Sequence, residues 1–503
     1  MPFNALFSFL IKKRLQQIEL FREHPLMAQL ETFHYLVRSA RYTEWGHKYG
    51  YDVINDPDTF RERVPLQDYE DVKPYIKRLR GGEQNLLWPT DMKWFAKSSG
   101  TTGDRSKFIP VSREALEDCH YKAGKDLIAL HYQQYPESKL YQGMSLVVGG
   151  SSSIENFRPD AYSGDLSAII IRNLPLWVEV RRTPVIETAL LDNWEVKIEQ
   201  MARETMREDV RCIAGVPSWT LVLLRRILEL SGARNIMEVW PNLELFMHGG
   251  VSFKPYRAQF EALIPSPTMN YLESYNASEG HFGIQDRKGA DDMLLMLDYG
   301  IFYEFLPMEE MGKAAPRTLL LGEVEPGVQY ALVISTNAGL WRYMPGDTVR
   351  FTSVKPYRIQ VSGRTKSFIN AFGEELIVEN ADRGIEAASQ ATGAVVSEYT
   401  AAPIYMEAGA SGGHEWVIEF AHPPVSLDLF IDTMDTTMRS LNSDYDAKRR
   451  GDMALRRPVV HSVEPGTFHA WMRQRGKLGG QNKVPRLSND RVLIESILAP
   501  VPA

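Results

Sequence analysis

The run Ser98-Ser99-Gly100-Thr101-Thr102-Gly103-Asp104-Arg105-Ser106-Lys107 limits the possible folds of this chain more than any other segment. It follows the strand-like residues 93–97 and precedes the apolar Phe108-Ile109-Pro110-Val111. Ser112 then offers a helix N-cap, and Leu116, Cys119, Ala123 and Leu127 recur at helical spacing to about Tyr132. A strand, a turn of glycine and small hydroxyl residues, and then a helix suit a nucleotide site at one end of a sheet. Glycine lets the backbone come close to a ligand, and successive amides in such a turn form a concave anion site. Hydroxyls add donors, and Lys107 adds positive charge. A P-loop would need its lysine directly after the second glycine and a hydroxyl after that. Here Gly103 and Lys107 are separated and Phe108 follows, so a P-loop kinase or GTPase is not indicated. A polar surface turn is the plain alternative.

The rest of the chain reads as an α/β protein. Residues 1–90 are mostly helical, with a Pro- and Asp-punctuated stretch at 56–74. Short apolar runs at 144–148, 166–171, 210–214 and 243–247 read as buried strands, and helical patterns such as 219–230 lie between several of them. That alternation implies a largely parallel sheet. From 327 to 361 the pattern changes to strands and tight turns, an antiparallel β-rich part. A composition break follows Gly363-Arg364. Beyond it, helices near 378–390 and 427–441 alternate with strands near 395–400, 414–420 and 458–463, with a short helix after Gly466. The expected domains are therefore 1–363, large and α/β with mostly parallel sheets, and 364–503, small and α+β.

Composition removes several function classes. A net charge of −7 gives no footprint for nucleic acid, so no nucleic-acid partner is expected. Two cysteines, Cys119 and Cys212, cannot make a disulfide framework or a zinc site, and a cytoplasmic location fits. Phe3, Leu6, Phe7, Leu10 and Ile11 precede Lys12-Lys13-Arg14, the reverse of a secretory signal. Their spacing suggests an amphipathic helix packed on the domain. No apolar run reaches the roughly 18 residues of a membrane span, so no stable membrane insertion is expected.

Three further segments look like parts of a site. In the run 271–280, Tyr275 offers a flat face for a base, while Ser278 and Glu279 form a turn of a small residue and a lone acid. A carboxylate so placed suits Mg²⁺, which takes only one or two protein carboxylates beside phosphate. The alternative is a core tyrosine and an exposed turn acid. In Arg342-Tyr343-Met344-Pro345-Gly346-Asp347 the Pro-Gly turn leaves Asp347 at the mouth of a strand, where a carboxylate can accept both hydroxyls of a ribose; it could equally cap its own turn. In Ser362-Gly363-Arg364-Thr365-Lys366 the glycine suits a hinge, and Arg364 and Lys366 can meet phosphate. An ordinary basic hairpin would look the same.

Taken in order, these four segments resemble the adenylate-forming superfamily of acyl-CoA synthetases, luciferases and peptide-synthetase adenylation domains. The spellings at 98–107, His248-Gly249-Gly250-Val251, 275–283, Tyr343-Met344-Pro345-Gly346-Asp347 and Gln481-Asn482-Lys483-Val484-Pro485-Arg486 resemble more closely the Gretchen Hagen (auxin-responsive promoter) family of acyl acid amido synthetases. The resemblance spans essentially the whole chain. It implies a ligase that uses ATP and Mg²⁺ to convert a small carboxylic acid to an acyl adenylate, then passes the acyl group to an amine or amino acid. An acyl-CoA ligase, or a nucleotide-binding regulator without catalysis, would share parts of the pattern.

By position, the resemblance assigns Ser98, Ser99, Gly100, Thr101 and Thr102 to phosphate, Gly249 and Gly250 to adenine with Tyr275 near it, Glu279 to magnesium and Asp347 to ribose. Lys366 and Lys483 become candidates to neutralise phosphoryl charge, Lys483 arriving from a mobile small domain. His120, Tyr121 and the Gly215-Val216-Pro217 turn become candidates for the acyl pocket, although a packed helix face explains His120 equally well. One absence agrees: His414-Glu415 lacks a second histidine at helical spacing. The hinge spelling is nearer the general superfamily than the plant enzymes. No motif marks hormone-binding residues, so an auxin- or jasmonate-type acid is not implied.

Overall fold

A computed structural model describes residues 2–98, 107–149, 154–174, 176–191, 194–250, 253, 256–364, 368–369, 376–404, 412–442, 445–446, 449, 455–475, 483–488 and 491–499. The chain divides into two compact units. Residues 1–345, 349–361 and 479–481 make the first, and 346–348, 362–478 and 482–503 the second.

The first unit is built on an eleven-stranded sheet. From edge to edge its strands are Ile301–Pro307, Gln329–Thr336, Asp347–Val354, Tyr357–Arg364, Met293–Leu295, Gly280–Ile284, Asn270–Ala277, Leu245–Gly249, Val210–Gly215, Met144–Val148 and Arg182–Thr183. The last five pair in parallel. From Asn270–Ala277 across to Tyr357–Arg364 the pairing is antiparallel. The parallel part and the tight-turn part legible in the sequence are thus continuous in one sheet. A second sheet of four strands sets Lys107–Val111, Trp94–Ser98, Ala161–Gly164 and Glu155–Arg158 side by side.

Five helices precede these sheets. The first, Pro2–Glu23, buries Ile18 and Phe21. It is pinned by Arg14, whose Nε donates to Asp126 Oδ1 at 2.7 Å and whose Nη1 donates to Asp298 Oδ2 at 2.6 Å. A buried carboxylate held by a bidentate guanidinium in this way fixes orientation as well as charge. Arg22 near the helix end and Arg358 both donate to buried Asp286.

One run expected as a strand is a helix. Residues 166–171 belong to the helix Leu166–Arg172, with Leu166, Ala168, Ile169 and Ile171 buried. It packs on the strand Trp94–Ser98. A short, wholly apolar run carries no period that separates a buried strand from a buried helix turn. The helix around the pattern at 219–230 starts earlier, at Pro217–Ser231, with Val216 in the N-cap position and Pro217 opening the helix. Proline suits that first position because its missing N–H has no intrahelical partner there.

In the second unit the strands Val395–Ile404 and Gly413–His422 pair antiparallel, and Val459–Val463 adds in parallel to the latter. Period-two alternation buries both faces. Trp416, Ile418 and Phe420 join the core under the helices Val378–Thr392 and Leu427–Leu441, while Val417 joins the one under Thr467–Gln474 and Val492–Leu498.

Candidate active site

Four parallel strands end on one edge of the large sheet. Val148 lies opposite Gly215, Gly215 opposite His248, and Gly249 opposite Ser274. Open α/β sheets take ligands outside the carboxyl ends of their strands, and this edge is lined with glycine for a packing reason. A β-carbon on Gly249 would come closer than 3.0 Å to the Ser274 carbonyl oxygen, and one on Gly215 would sit 2.9 Å from Val148 Cβ and Thr220 Oγ1. Only glycine lets these strand ends close together. Gly250 follows, exposed, at φ +81°. Val216 leads into the helix Pro217–Ser231, whose first turn therefore begins at the same edge.

His248, just before Gly249, is 3% exposed and stacks on Phe253 with centroids 4.0 Å apart. Burial pushes its imidazole down to about 3, helped by Arg257. It is a neutral ring at physiological pH.

The strand Asn270–Ala277 continues from this edge into a two-residue turn, Ser278-Glu279, closed by the pair Ala277–Gly280. Ser278 Oγ is buried and has no hydrogen-bond partner among the described residues. Glu279 is half-buried beside it. Tyr275 is 7% exposed, with its ring 4.8 Å from that of Phe282 and its side chain in the main core. It therefore offers a base little more than an edge. Among the described residues no group of three or more His, Cys, Asp or Glu is arranged around a metal position. A single half-buried carboxylate next to an unpartnered hydroxyl does fit Mg²⁺ held mainly by phosphate oxygen.

The strands Trp94–Ser98 and Lys107–Val111 pair antiparallel, with Ser98 opposite Lys107, so the glycine- and hydroxyl-rich run joins two paired strands. The helix follows only after the second of them. Ser99, Gly100, Thr101 and Thr102 lie outside the described residues, as does Lys366, and Ser98 and Arg364 are described by backbone alone. Lys107 Nζ stands 5.4 Å from the centroid of Tyr69, whose hydroxyl accepts the Phe108 N–H at 2.9 Å. Arg80 lies 3.6 Å from the centroid of Phe108. The helix Tyr69–Gly81 thus buttresses the strand that leaves the loop, a support that no motif announced.

Ser112 caps as expected. Its Oγ accepts the Ala115 N–H at 2.9 Å and donates to the Asn337 carbonyl at 2.6 Å. The turn it starts is a π-helical segment, Ala115–His120, that runs into the helix Tyr121–Gln134. Such segments recur at functional sites. Cys119 Sγ accepts the His281 N–H at 3.2 Å, which ties this segment to the strand Gly280–Ile284. His120 and His281 are both buried, and burial pushes them down to about 4 and about 3. His120 is therefore an uncharged group there. The hydroxyl of Tyr121 donates to the Asn173 carbonyl at 2.8 Å.

Asp347 opens the strand Asp347–Val354 and is half-buried. The motif's other charged residue serves the scaffold. Arg342 sits at φ +44°, is 4% exposed, and donates to both oxygens of Glu304 and to the carbonyls of Arg61 and Val64.

Lys483, in the second unit, is exposed. The residues after it lie along the strand Val395–Ile404: Ala401 N–H donates to the Arg486 carbonyl at 2.9 Å, and Ser488 N–H to the Ala401 carbonyl at 3.0 Å. The structure thus gathers Val216, Gly249 and Gly250 at one sheet edge, with Tyr275, Ser278 and Glu279 on the strand and turn that extend from it. It sets His120 on a neighbouring segment. Asp347, Arg364 and Lys483 are grouped with the second unit.

Comparison with known proteins places the chain in a family. Three family models match in order: the GH3 family N-terminal domain over residues 14–269, the GH3 family central domain over 294–364 and the GH3 family C-terminal domain over 379–492. The chain is 24% identical to indole-3-acetic acid-amido synthetase GH3.3 of Arabidopsis thaliana, the alignment covering 88% of this chain and 86% of the relative. It is 26% identical to indole-3-acetic acid-amido synthetase GH3.8 of Oryza sativa subsp. indica, over 88% and 85%. Among solved structures, GH3.15 acyl acid amido synthetase superposes with a TM-score of 0.79 at 18% identity, over 97% of this chain and 96% of that one. 2-Hydroxyisobutyryl-CoA ligase in the postadenylation state in complex with R3-HIB-AMP superposes with a TM-score of 0.57 at 12% identity, over 94% and 92%. At these identities the structural likeness establishes the fold. Among the described residues no helix is long and apolar enough to cross a membrane.

Proposed function

The chain belongs to the GH3 family, and from that membership we propose that it is a ligase, an ATP-dependent acyl acid amido synthetase. The observation that carries the reading is the glycine-lined carboxyl edge of the parallel sheet, in a chain whose three parts match the family in order. Its relatives are named for indole-3-acetic acid; for this chain the reading stops at a small carboxylic acid and an amine or amino acid.

In the first step a carboxylate oxygen bonds to the α-phosphorus of ATP, the bond to the β-phosphate bridge breaks, and pyrophosphate leaves. In the second, the amine nitrogen bonds to the acyl carbon, loses a proton, and AMP leaves. Both reactants of the first step are anions, so catalysis consists of positioning them and of placing positive charge where negative charge develops. No side-chain nucleophile is required.

The residues divide accordingly. The loop from Ser98 through Ser99, Gly100, Thr101 and Thr102 holds the phosphates, with Lys107 at its base. Gly249 and Gly250 let the backbone lie along adenine, and Tyr275 closes that side. Asp347 accepts the ribose hydroxyls. The Ser278 hydroxyl and Glu279 carboxylate form the cation side of the triphosphate, where magnesium, when bound, supplies charge neutralisation. Arg364, Lys366 and Lys483 meet the phosphoryl charge, Lys483 on a mobile domain of residues 364–503. His120, Tyr121 and Val216 face the acyl group. Cys119 and Cys212 are both buried, with thiols pushed up by burial, which suits a reducing cytoplasm.

The test is pyrophosphate release from ATP and Mg²⁺ across a panel of carboxylic acids. Release that depends on the acid supports the reading; none with any acid leaves a nucleotide-binding regulator. A CoA ligase would share this step, so the acceptor is then varied between amines and CoA and the product weighed.

A further inference from the structure

The segment that carries Lys483 is anchored more firmly than a loop bearing an exposed lysine needs to be. Starting one residue after the lysine, Val484 is buried under the helices Thr467–Gln474 and Val492–Leu498. Leu487 is buried in the core on the other face of the small sheet. Between them Pro485 accepts the Thr400 hydroxyl at 2.7 Å, and Arg486 joins the backbone ladder along Ala401. The chain from 484 to 488 is thus stitched to the edge of the strand Val395–Ile404.

Arg486 adds a side-chain clamp. Its guanidinium pairs with Glu398, donates to the Tyr399 carbonyl at 3.3 Å and lies 4.5 Å from the centroid of the Tyr399 ring. Tyr399 is itself fixed, since its hydroxyl donates to Asp382 on the helix Val378–Thr392 at 2.6 Å. Arginine suits this post because its planar head stacks on a ring and binds a carboxylate at once, which a lysine cannot copy. The four groups form a chain from a core helix to a point three residues from Lys483. Lys483 is a point-charge ammonium on a flexible four-carbon stem, so it reaches one position reliably only if its backbone is held.

Resting on the assignment of Lys483 to the adenylation step, we propose that Arg486 is a positioning residue for Lys483: its clamp on Glu398 and Tyr399 fixes the backbone from which the lysine reaches the reacting phosphoryl group. Arg486 itself touches no substrate. Its effect on rate passes entirely through Lys483.

A double-mutant cycle on the full chain tests this. Adenylation is followed by acid-dependent ATP–pyrophosphate exchange in the parent, Lys483→Ala, Arg486→Ala and the double variant, with ATP affinity and thermal unfolding measured in parallel. The expected result is that Arg486→Ala slows exchange by as much as about 100-fold, the scale of a small misplacement of a reacting group, with ATP KM unchanged, and that it slows exchange no further once Lys483 is alanine. Arg486→Lys should recover little. Glu398→Gln, which keeps size and removes charge, should reproduce the loss in milder form and carries the test if Arg486→Ala does not fold. An equal loss from Arg486→Ala with and without Lys483 would overturn the positioning role, as would a parental rate in Arg486→Ala and Glu398→Gln. If Lys483→Ala alone leaves exchange at the parental rate, the lysine assignment falls first, and the two failures are told apart.

Discussion

Gly249 lies opposite Ser274 at the end of two parallel strands, so close that a β-carbon on Gly249 would meet the Ser274 carbonyl inside 3.0 Å. The obstacle is backbone, which cannot swing aside like the tip of a side chain. Gly249→Ala should therefore spread the two strand ends at a cost of about 1–3 kcal/mol, raising the KM for ATP while leaving the second unit folded. Urea unfolding and ATP titration check this. Parental stability and ATP affinity in the variant would mean that the close approach has no consequence for the site.

Arg342 and Glu304 form a buried ion pair, with side chains 5% and 1% exposed. Thr318 Oγ1 also donates to Glu304, at 2.6 Å, so the carboxylate is fully engaged. Glu304→Ala would strand the guanidinium in the interior, and unfolding free energy should fall by about 3–5 kcal/mol. The loss should appear in urea denaturation with or without ATP. A purely kinetic effect would instead make Arg342 part of the chemistry.

Asp347 should behave in the opposite way. Asp347→Ala removes hydrogen bonds from a charged acceptor, each worth about 1.5–3 kcal/mol. ATP use should weaken by roughly 10- to 100-fold, read as a rise in the KM for ATP. Unchanged ATP dependence would remove Asp347 from the ribose role.

The buried histidines set a pH limit on stability. His120, His131 and His248 are pushed down by burial to about 4, about 4 and about 3. The unfolded imidazole titrates near 6.5. Below that value the unfolded chain takes up protons that the folded chain refuses, so stability is complete above pH about 6.5. It should fall by up to about 1.4 kcal/mol per pH unit per histidine as pH drops toward the folded values. His248→Phe isolates one of them. Both ring nitrogens of His248 are buried without partners among the described residues, so phenylalanine keeps the stack on Phe253 and leaves nothing unpaired. Between pH 7.5 and 5.0 the variant should lose less stability than the parent. An identical slope would show that His248 does not resist protonation in the fold.

Much of this was legible in the sequence because it rests on local pattern. The helix Leu427–Leu441 and the strand Met144–Val148 follow directly from hydrophobic spacing. The Ser112 cap follows from the hydroxyl before a helical run. What was not legible depends on partners far away in the chain. The run at 166–171 is helical because of what it packs on, and its own residues are equally apolar in either form. The near-complete burial of Tyr275 depends on Phe282, across a turn. Arg342 and Asp347 stand five residues apart in one motif, yet the first is locked to Glu304, 38 residues away. Spacing located that motif but could not divide its labour between scaffold and site.

The proposed reaction forms an acyl adenylate and then opens it with an amine. Its most direct test is to give the enzyme ATP, Mg²⁺, an amine and an acid labelled with ¹⁸O in its carboxylate, and to weigh the nucleotide released. AMP should carry one ¹⁸O atom, and pyrophosphate and an amide retaining one labelled oxygen should accompany it. Label found in inorganic phosphate beside ADP, or AMP released without label, would contradict the proposed reaction.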